Sequence, residues 1–264
     1  MSLYNINGDV LVTSYDDTIF SVNHRGYSAI APENTLPAYR LSKRMGFNYV
    51  ETDVSFTSDG VAMLLHDSTI DRTSNGSGTL SNMTYSQVRQ YDFGSWKSAE
   101  YAGTVIPTLA EFLALCKDIM LHPWIELKDN GGYTQAQIEG IVDMVNDYGM
   151  TELTSYISFS STYLGYVKDY NSKASLGFLK STASSSDLST CQGLQTTDNL
   201  VFYAPKYSTL STSIVNTYKA ANIPIRVWTV NNSADILAMD PYVSGVTSDN
   251  LIAGKVLYDA NISD

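Results

Sequence analysis

From residue 20 to its end, this 264-residue chain alternates short runs rich in β-branched and aromatic residues with amphipathic helical patterns. Repeated β-then-α units bury their strands between helices, so the pattern demands a mainly parallel sheet. The strand candidates are Phe20 to His24, Asn48 to Phe56, Val61 to His66, Trp124 to Leu127, Tyr156 to Phe159, Ala174 to Leu179, Leu200 to Ala204, Ile225 to Val230 and Gly245 to Ser248. These are one more than an eight-stranded barrel needs. The surplus strand is Val61 to His66, because the turn residues Thr57-Ser58-Asp59-Gly60 send it back antiparallel to its predecessor. Eight parallel strands remain, and they predict a (β/α)8 TIM barrel.

Helices are expected over Glu33 to Arg44, Leu109 to Ile119, Gln135 to Tyr148, Ser161 to Tyr170, Ser213 to Ala221 and Ser233 to Met239. Thr108, just after Pro107, is placed to cap the second of these. Residues 68–107 fit neither period and carry the turn-rich run SNGSGTLSNMTYS, which reads as a loop-rich insertion over one end of the barrel. No repeat, charge block or linker divides the chain, so residues 1–264 are expected to form a single domain.

A net charge of −11 and a pI near 4.6 argue against broad nucleic-acid or anionic-membrane binding, since both need a positive surface. No eighteen consecutive apolar residues occur, so no stable membrane insertion is expected. The expected compartment is the cytoplasm, or the cell surface or exterior if a leader has been removed from ahead of residue 1. The two cysteines, Cys116 and Cys191, are expected to be separate free thiols. Nothing in the pattern speaks to oligomeric state.

Two of the only three histidines, His24 and His66, flank Glu51 and Asp53. Strand alternation sets both carboxylates on one face, where they can reach one cation. The turn around Asp59 then places His66 opposite Thr52 or Asp53. Glu126 and Lys128 also lie two apart, at the end of a later strand, and His24 and Arg25 end the first. In a parallel barrel these strand ends share one rim. Each residue alone has a structural reading: an isolated Glu-x-Asp pair is more often solvated, a lone histidine more often structural, and His122 is read as structural here. Independent surface residues have no reason to collect at strand ends, so the cluster favours chemistry. Three carboxylates, a divalent cation, Arg25, Lys128 and a phosphodiester monoanion sum to a neutral site. All-oxygen ligation suits Mg²⁺ or Ca²⁺ better than Zn²⁺.

In order, the fragments HRG, PENT, ETDV, DG, HD, RT, IELK, SF and VWTVN resemble the glycerophosphodiester phosphodiesterase family over residues 20 to about 250. The resemblance implies a barrel of the PLC-like phosphodiesterase type that uses a divalent cation to hydrolyse a small glycerophosphodiester to sn-glycerol 3-phosphate and an alcohol. Carried over motif by motif, it implies His24 and His66 as the acid/base pair and Arg25 and Lys128 as phosphate contacts. It likewise implies Glu51, Asp53 and Glu126 as metal ligands and Trp228 as an aromatic wall beside the glycerol. The preferred division of labour is His24 as base and His66 as acid. The run VTSDN, Val246 to Asn250, departs from the family's usual ending, which leaves the last βα loop open but not the catalytic set. Competing functions are phospholipase D-like cleavage of lysophospholipids on the same barrel and a catalytically silent phosphodiester-binding protein; a nuclease ranks last on charge.

Overall fold

The computed structural model describes residues 3–4, 10–11, 19–128 and 132–261. Nine strands form the main sheet: β1 (Phe20–Asn23), β2 (Tyr49–Phe56), β3 (Ala62–Leu64), β4 (His122–Leu127), β5 (Ser155–Ser158), β6 (Ser175–Lys180), β7 (Val201–Pro205), β8 (Ile225–Val227) and β9 (Val243–Ser248). Eight of them are parallel and close on themselves through β9–β1 and β1–β2 pairing. Polar side chains tie the seam: Asn23 donates to the Ser248 carbonyl at 2.9 Å and accepts from Ser42 at 2.7 Å, all three buried. The surplus strand β3 is the antiparallel one, pairing Val54 with Leu64 and Phe56 with Ala62. That register continues to Leu65, whose N–H reaches the Asp53 carbonyl at 3.0 Å, so His66 arrives beside the β2 carboxylates as the turn residues foretold.

The helices α1 (Leu36–Arg44), α2 (Leu109–Ile119), α3 (Gln135–Asp147), α4 (Ser161–Tyr170), α5 (Leu188–Leu194), α6 (Thr212–Ala220), α7 (Ser233–Leu237) and α8 (Ala253–Asn261) alternate with the strands. In α2 the Thr108 hydroxyl accepts from the Glu111 N–H while the Glu111 carboxylate accepts from the Thr108 N–H. Its Leu109, Phe112, Leu113 and Cys116 are fully buried on the sheet. Each such side chain contributes roughly 1.5–3 kcal/mol through burial.

Several expectations shift. Glu33 and Asn34 do not begin α1; they form a turn, with Asn34 in the left-handed region at φ 55°, which frees both side chains for the rim. The strand expected through Val230 ends at Val227, just before Trp228. Helices α5 and α8 lie outside the expected set; α5 is a short run of mixed polarity, whereas α8 is amphipathic. Residues 68–107 contain only one-turn helices, yet Ile70, Leu80, Val88, Phe93 and Ile106 bury against Met63 and Leu65 in a small core of their own.

Candidate functional site

Strand register assembles the acidic cluster. Glu51 and Asp53 face the barrel interior from β2, and β4 aligns Glu126 directly with Asp53. Oxygens of all three buried carboxylates lie within 4.8 Å of one another. Like charges this close and this dry oppose ionisation. Burial, with the charges of Asp53 and Glu126, pushes Glu51 well above the ordinary carboxylate range. Burial and Asp53 together push Glu126 up to about 7. Burial works on Asp53 in the same direction, but the cations Lys128 and Arg25 outweigh it and hold that carboxyl below its ordinary value.

One oxygen on each of the three carboxylates, Glu51 Oε1, Asp53 Oδ1 and Glu126 Oε1, has no hydrogen-bond donor. The Lys128 ammonium lies 2.8 Å from Glu126 and 3.3 Å from Asp53, close enough for ion pairing but not aligned for hydrogen bonds. Three buried carboxylate oxygens that converge in this way suit a hard divalent cation.

The turn after β1 supplies the opposite wall. Arg25 adopts φ 56° and Gly26 φ 76°, and a side chain at 26 would collide with Ala38 of α1 at 2.7 Å. The glycine is thus required twice, by conformation and by close approach. Within this turn the Arg25 N–H donates to Glu51 at 2.9 Å, and its guanidinium reaches Glu33 at 2.8 Å and Asp53 at 3.4 Å.

Each histidine is oriented by its own carboxylate. His24 Nδ1 lies 2.7 Å from Asp249, and His66 Nδ1 lies 2.7 Å from Asp67. Asp67 is held down to about 2; burial works against this, but hydrogen bonds from Arg72 and His66 outweigh it. Burial draws His66 below the ordinary imidazole value, against the pull of Asp53. Both histidines line one cavity of about 200 Å³ with Arg25, Lys128, Glu51 and Glu126, and Ile157, Phe159, Leu179 and Trp228 form its apolar side. The Trp228 indole is held by a 2.8 Å bond to the Ala204 carbonyl and meets Phe159 edge-on.

Every site residue expected from the sequence lies at this cavity except Asp53, which sits one shell deeper and touches its walls through Arg25 and Lys128. Five residues without an expected role join them. Asn34 donates to Asp53 at 2.8 Å, Asp67 and Asp249 hold the histidines, and Arg72 grips Asp67 and Glu33 at 2.7–2.8 Å. Glu33 in turn carries Arg25. Asn34, Glu33, Asp67 and Arg72 all lie within the fragments PENT, HD and RT, but their partners are set by folding and not by spacing. Asp249 belongs to the divergent run VTSDN, and Asn231 and Ser28 fix it against His24.

The profile of the glycerophosphoryl diester phosphodiesterase family matches residues 24–253. The chain belongs to this family. Glycerophosphodiester phosphodiesterase 1 of Mus musculus is 39% identical over 127 residues, 47% of this chain and 38% of the mouse protein. The glycerophosphodiester phosphodiesterase of Caldanaerobacter subterraneus subsp. tengcongensis is 32% identical over 160 residues, 60% of this chain and 65% of the bacterial one. The chain thus spans less than two thirds of either relative's length in these matches. Among solved structures, an Oleispira antarctica phosphodiesterase in complex with the product sn-glycerol-3-phosphate superposes with a TM-score of 0.83 at 26% identity, covering 92% of this chain and 96% of that one. A glycerophosphodiester phosphodiesterase from Agrobacterium tumefaciens shares the fold, with a TM-score of 0.73 at 24% identity, covering 91% of this chain and 99% of that one. The family's barrel and the cluster at its rim are therefore seen together here.

Proposed function

We propose that this chain hydrolyses glycerophosphodiesters to sn-glycerol 3-phosphate and an alcohol at the rim cavity, with residues 1–264, including 68–107, acting as one catalytic unit. The observation that carries the reading is the pairing of two carboxylate-oriented histidines with the converging carboxylates of Glu51, Asp53 and Glu126, the first and last of which share the histidines' cavity. Family membership and the product bound to the Oleispira relative support the substrate class.

Glu51, Asp53 and Glu126 would hold the divalent ion, Mg²⁺ or Ca²⁺ by ligand hardness. Bound there, the ion supplies Lewis-acid polarisation of a phosphoryl oxygen. Arg25 and Lys128 bind the phosphate and counter the charge that builds on its oxygens. Trp228 and Phe159 give the carbon skeleton of the substrate an apolar wall.

A carboxylate only accepts, so Asp67 and Asp249 fix the hydrogen of each imidazole on Nδ1 and assign proton transfer to Nε2. One ring takes the proton of the nucleophile, which is water or the glycerol hydroxyl beside the phosphate with water then opening the cyclic phosphate, and the other protonates the departing alkoxide. Burial draws His66 below the ordinary imidazole value and so favours the neutral form that accepts a proton. The proposed roles are therefore His66 as base and His24 as acid, the reverse of the preference drawn from the sequence.

The test is a metal-by-substrate screen over glycerophosphodiesters that measures sn-glycerol 3-phosphate release. His24→Ala and His66→Ala should each lower kcat/KM about 10²–10⁴-fold. The pH profile should be bell-shaped, with the acidic limb lost in His66→Ala and the basic limb lost in His24→Ala. Near-normal turnover in both variants sinks the assignment.

A further inference from the structure

The opposite mouth of the barrel carries a cavity that the proposed reaction does not use. It measures about 440 Å³ and is lined at its inner end by Phe20, Tyr49, Trp124 and Arg226. Arg226 reaches it by strand alternation, since Ile225 and Val227 of β8 are buried against the outer helices. Its guanidinium carbon sits 4.2 Å from the centre of the Phe202 ring, 4.6 Å from Phe20 and 5.3 Å from Trp124.

This aromatic surround is built by omission elsewhere. A Cβ at Gly177 would lie 2.3 Å from the Phe202 ring, and one at Gly245 would lie 2.8 Å from the Phe20 ring. Two inward glycines therefore make the space that lets both rings lie against the arginine.

Stacking satisfies the faces of a guanidinium, but its five N–H donors lie in its plane. Among the described residues none of those donors meets an acceptor and no carboxylate pairs with Arg226; Nε is buried outright. The chain has 27 acidic residues against 16 basic ones, so carboxylates are not scarce. A dry environment lowers the Arg226 pKa to about 10, which leaves it charged at neutral pH. Lys173, Glu152 and Asp198 also line the cavity, and burial keeps His122 below the ordinary imidazole value. These outer residues sum to one negative charge, and the positive charge lies at the inner end, on a guanidinium that no carboxylate among the described residues touches.

We propose that Arg226 and its aromatic surround form a binding site for a small oxyanion, carboxylate or phosphate, at the barrel mouth opposite the acidic cluster. The guanidinium fork matches either group. A polyanion is disfavoured by the acids on the outer mouth, whereas a small anion can pass them to reach the arginine.

The site is tested by following the indole N–H resonance of Trp124 while the protein is titrated with sodium phosphate or sodium benzoate at constant ionic strength, with chloride as control. A saturable shift is expected, with a Kd of about a millimolar or tighter and at least a tenfold loss of affinity in Arg226→Gln. The stronger of the two anions identifies the group the site prefers. Arg226→Lys keeps the charge and should retain part of the binding, which covers the case in which the glutamine variant does not fold. Lys128→Met removes a cation from the other rim and should leave the titration unchanged. No shift with either anion, an equal shift in Arg226→Gln, or loss of the shift in Lys128→Met overturns the proposal. None of these readouts depends on hydrolysis, so the site stands or falls separately from the proposed activity.

Discussion

The two mouths of the barrel bury cations by opposite means. At the C-terminal rim Arg25 and Lys128 sit among Glu33, Asp53 and Glu126, so each charge is met by charge. At the other mouth Arg226 sits among Phe20, Trp124 and Phe202 with no counter-ion among the described residues. Buried ion pairs hold their geometry but are damaged when one member is lost, because the survivor is left uncompensated. A ring-stacked arginine leaves no charge behind when it is removed. The rim should therefore be sensitive to the loss of any one of these ions, and the opposite mouth should tolerate apolar replacement.

The largest expected effect is at the acidic cluster. Glu126→Gln or Asp53→Asn should lower glycerophosphodiester hydrolysis by about 10³-fold or more, as several kcal/mol of transition-state stabilisation is lost. Chelation of divalent ions should match it in size and be reversed by adding Mg²⁺ or Ca²⁺. Full turnover in a chelator would remove the chemical half of the comparison.

Next comes Arg72, which belongs to the rim without touching the cavity. Its loss releases Asp67 and Glu33, and through them His66 and Arg25. Arg72→Ala should reduce kcat/KM about 10–100-fold, as outer-shell partners do, with Arg72→Lys recovering part of it. A fall in kcat traces the loss to His66, and a rise in KM traces it to Arg25.

The third effect is one of pH. Glu126 titrates near 7 in the metal-free fold and near its ordinary 4.5 when unfolded. Between those values the folded state holds the extra proton, so this group's stabilisation is complete below about 4.5 and lost as pH rises through 7. The metal-free Tm should therefore fall more steeply from pH 5 to 8 in the wild type than in Glu126→Gln. Added divalent ion should raise Tm more at pH 8 than at pH 5, because it competes with that proton. Parallel pH curves for the two proteins would mean the cluster is not the strained region it is taken to be.

The smallest effect separates the mouths directly. Arg226→Met should shift stability by no more than about 1 kcal/mol in either direction, since an apolar side chain suits three rings. Lys128→Met should destabilise the metal-free protein at pH 8 by more than that, as it leaves Asp53 and Glu126 facing each other. Equal losses would erase the distinction. Urea unfolding measures both.

The sequence is legible where chemistry follows chain order. The surplus strand, the register that sets His66 beside β2 and the pairing of Glu51 with Asp53 all follow from alternation and one turn. It is silent where partners come from distant segments. Nothing in the spacing shows that Arg72 reaches back 39 residues to Glu33, or that Asp249 returns 225 residues later to orient His24. Arg226 was hidden for a different reason: an arginine inside the strand run IPIRVW looks like an exposed position until barrel closure turns it inward. Helix α5 is hidden because packing, and not periodicity, stabilises so short an element, whereas α8 is as amphipathic as the helices that were expected.

Arg72 also bears on how this scaffold can diversify. It is the one side chain of residues 68–107 that grips both the orienting carboxylate of His66 and the carrier of Arg25. Exchanging that whole segment for a relative's would therefore be a graft onto a live circuit. A chimera would have to keep Arg72, its distance from His66 and the apolar residues that pack on Met63 and Leu65, and one that discarded Arg72 would release the carboxylates that hold His66 and Arg25.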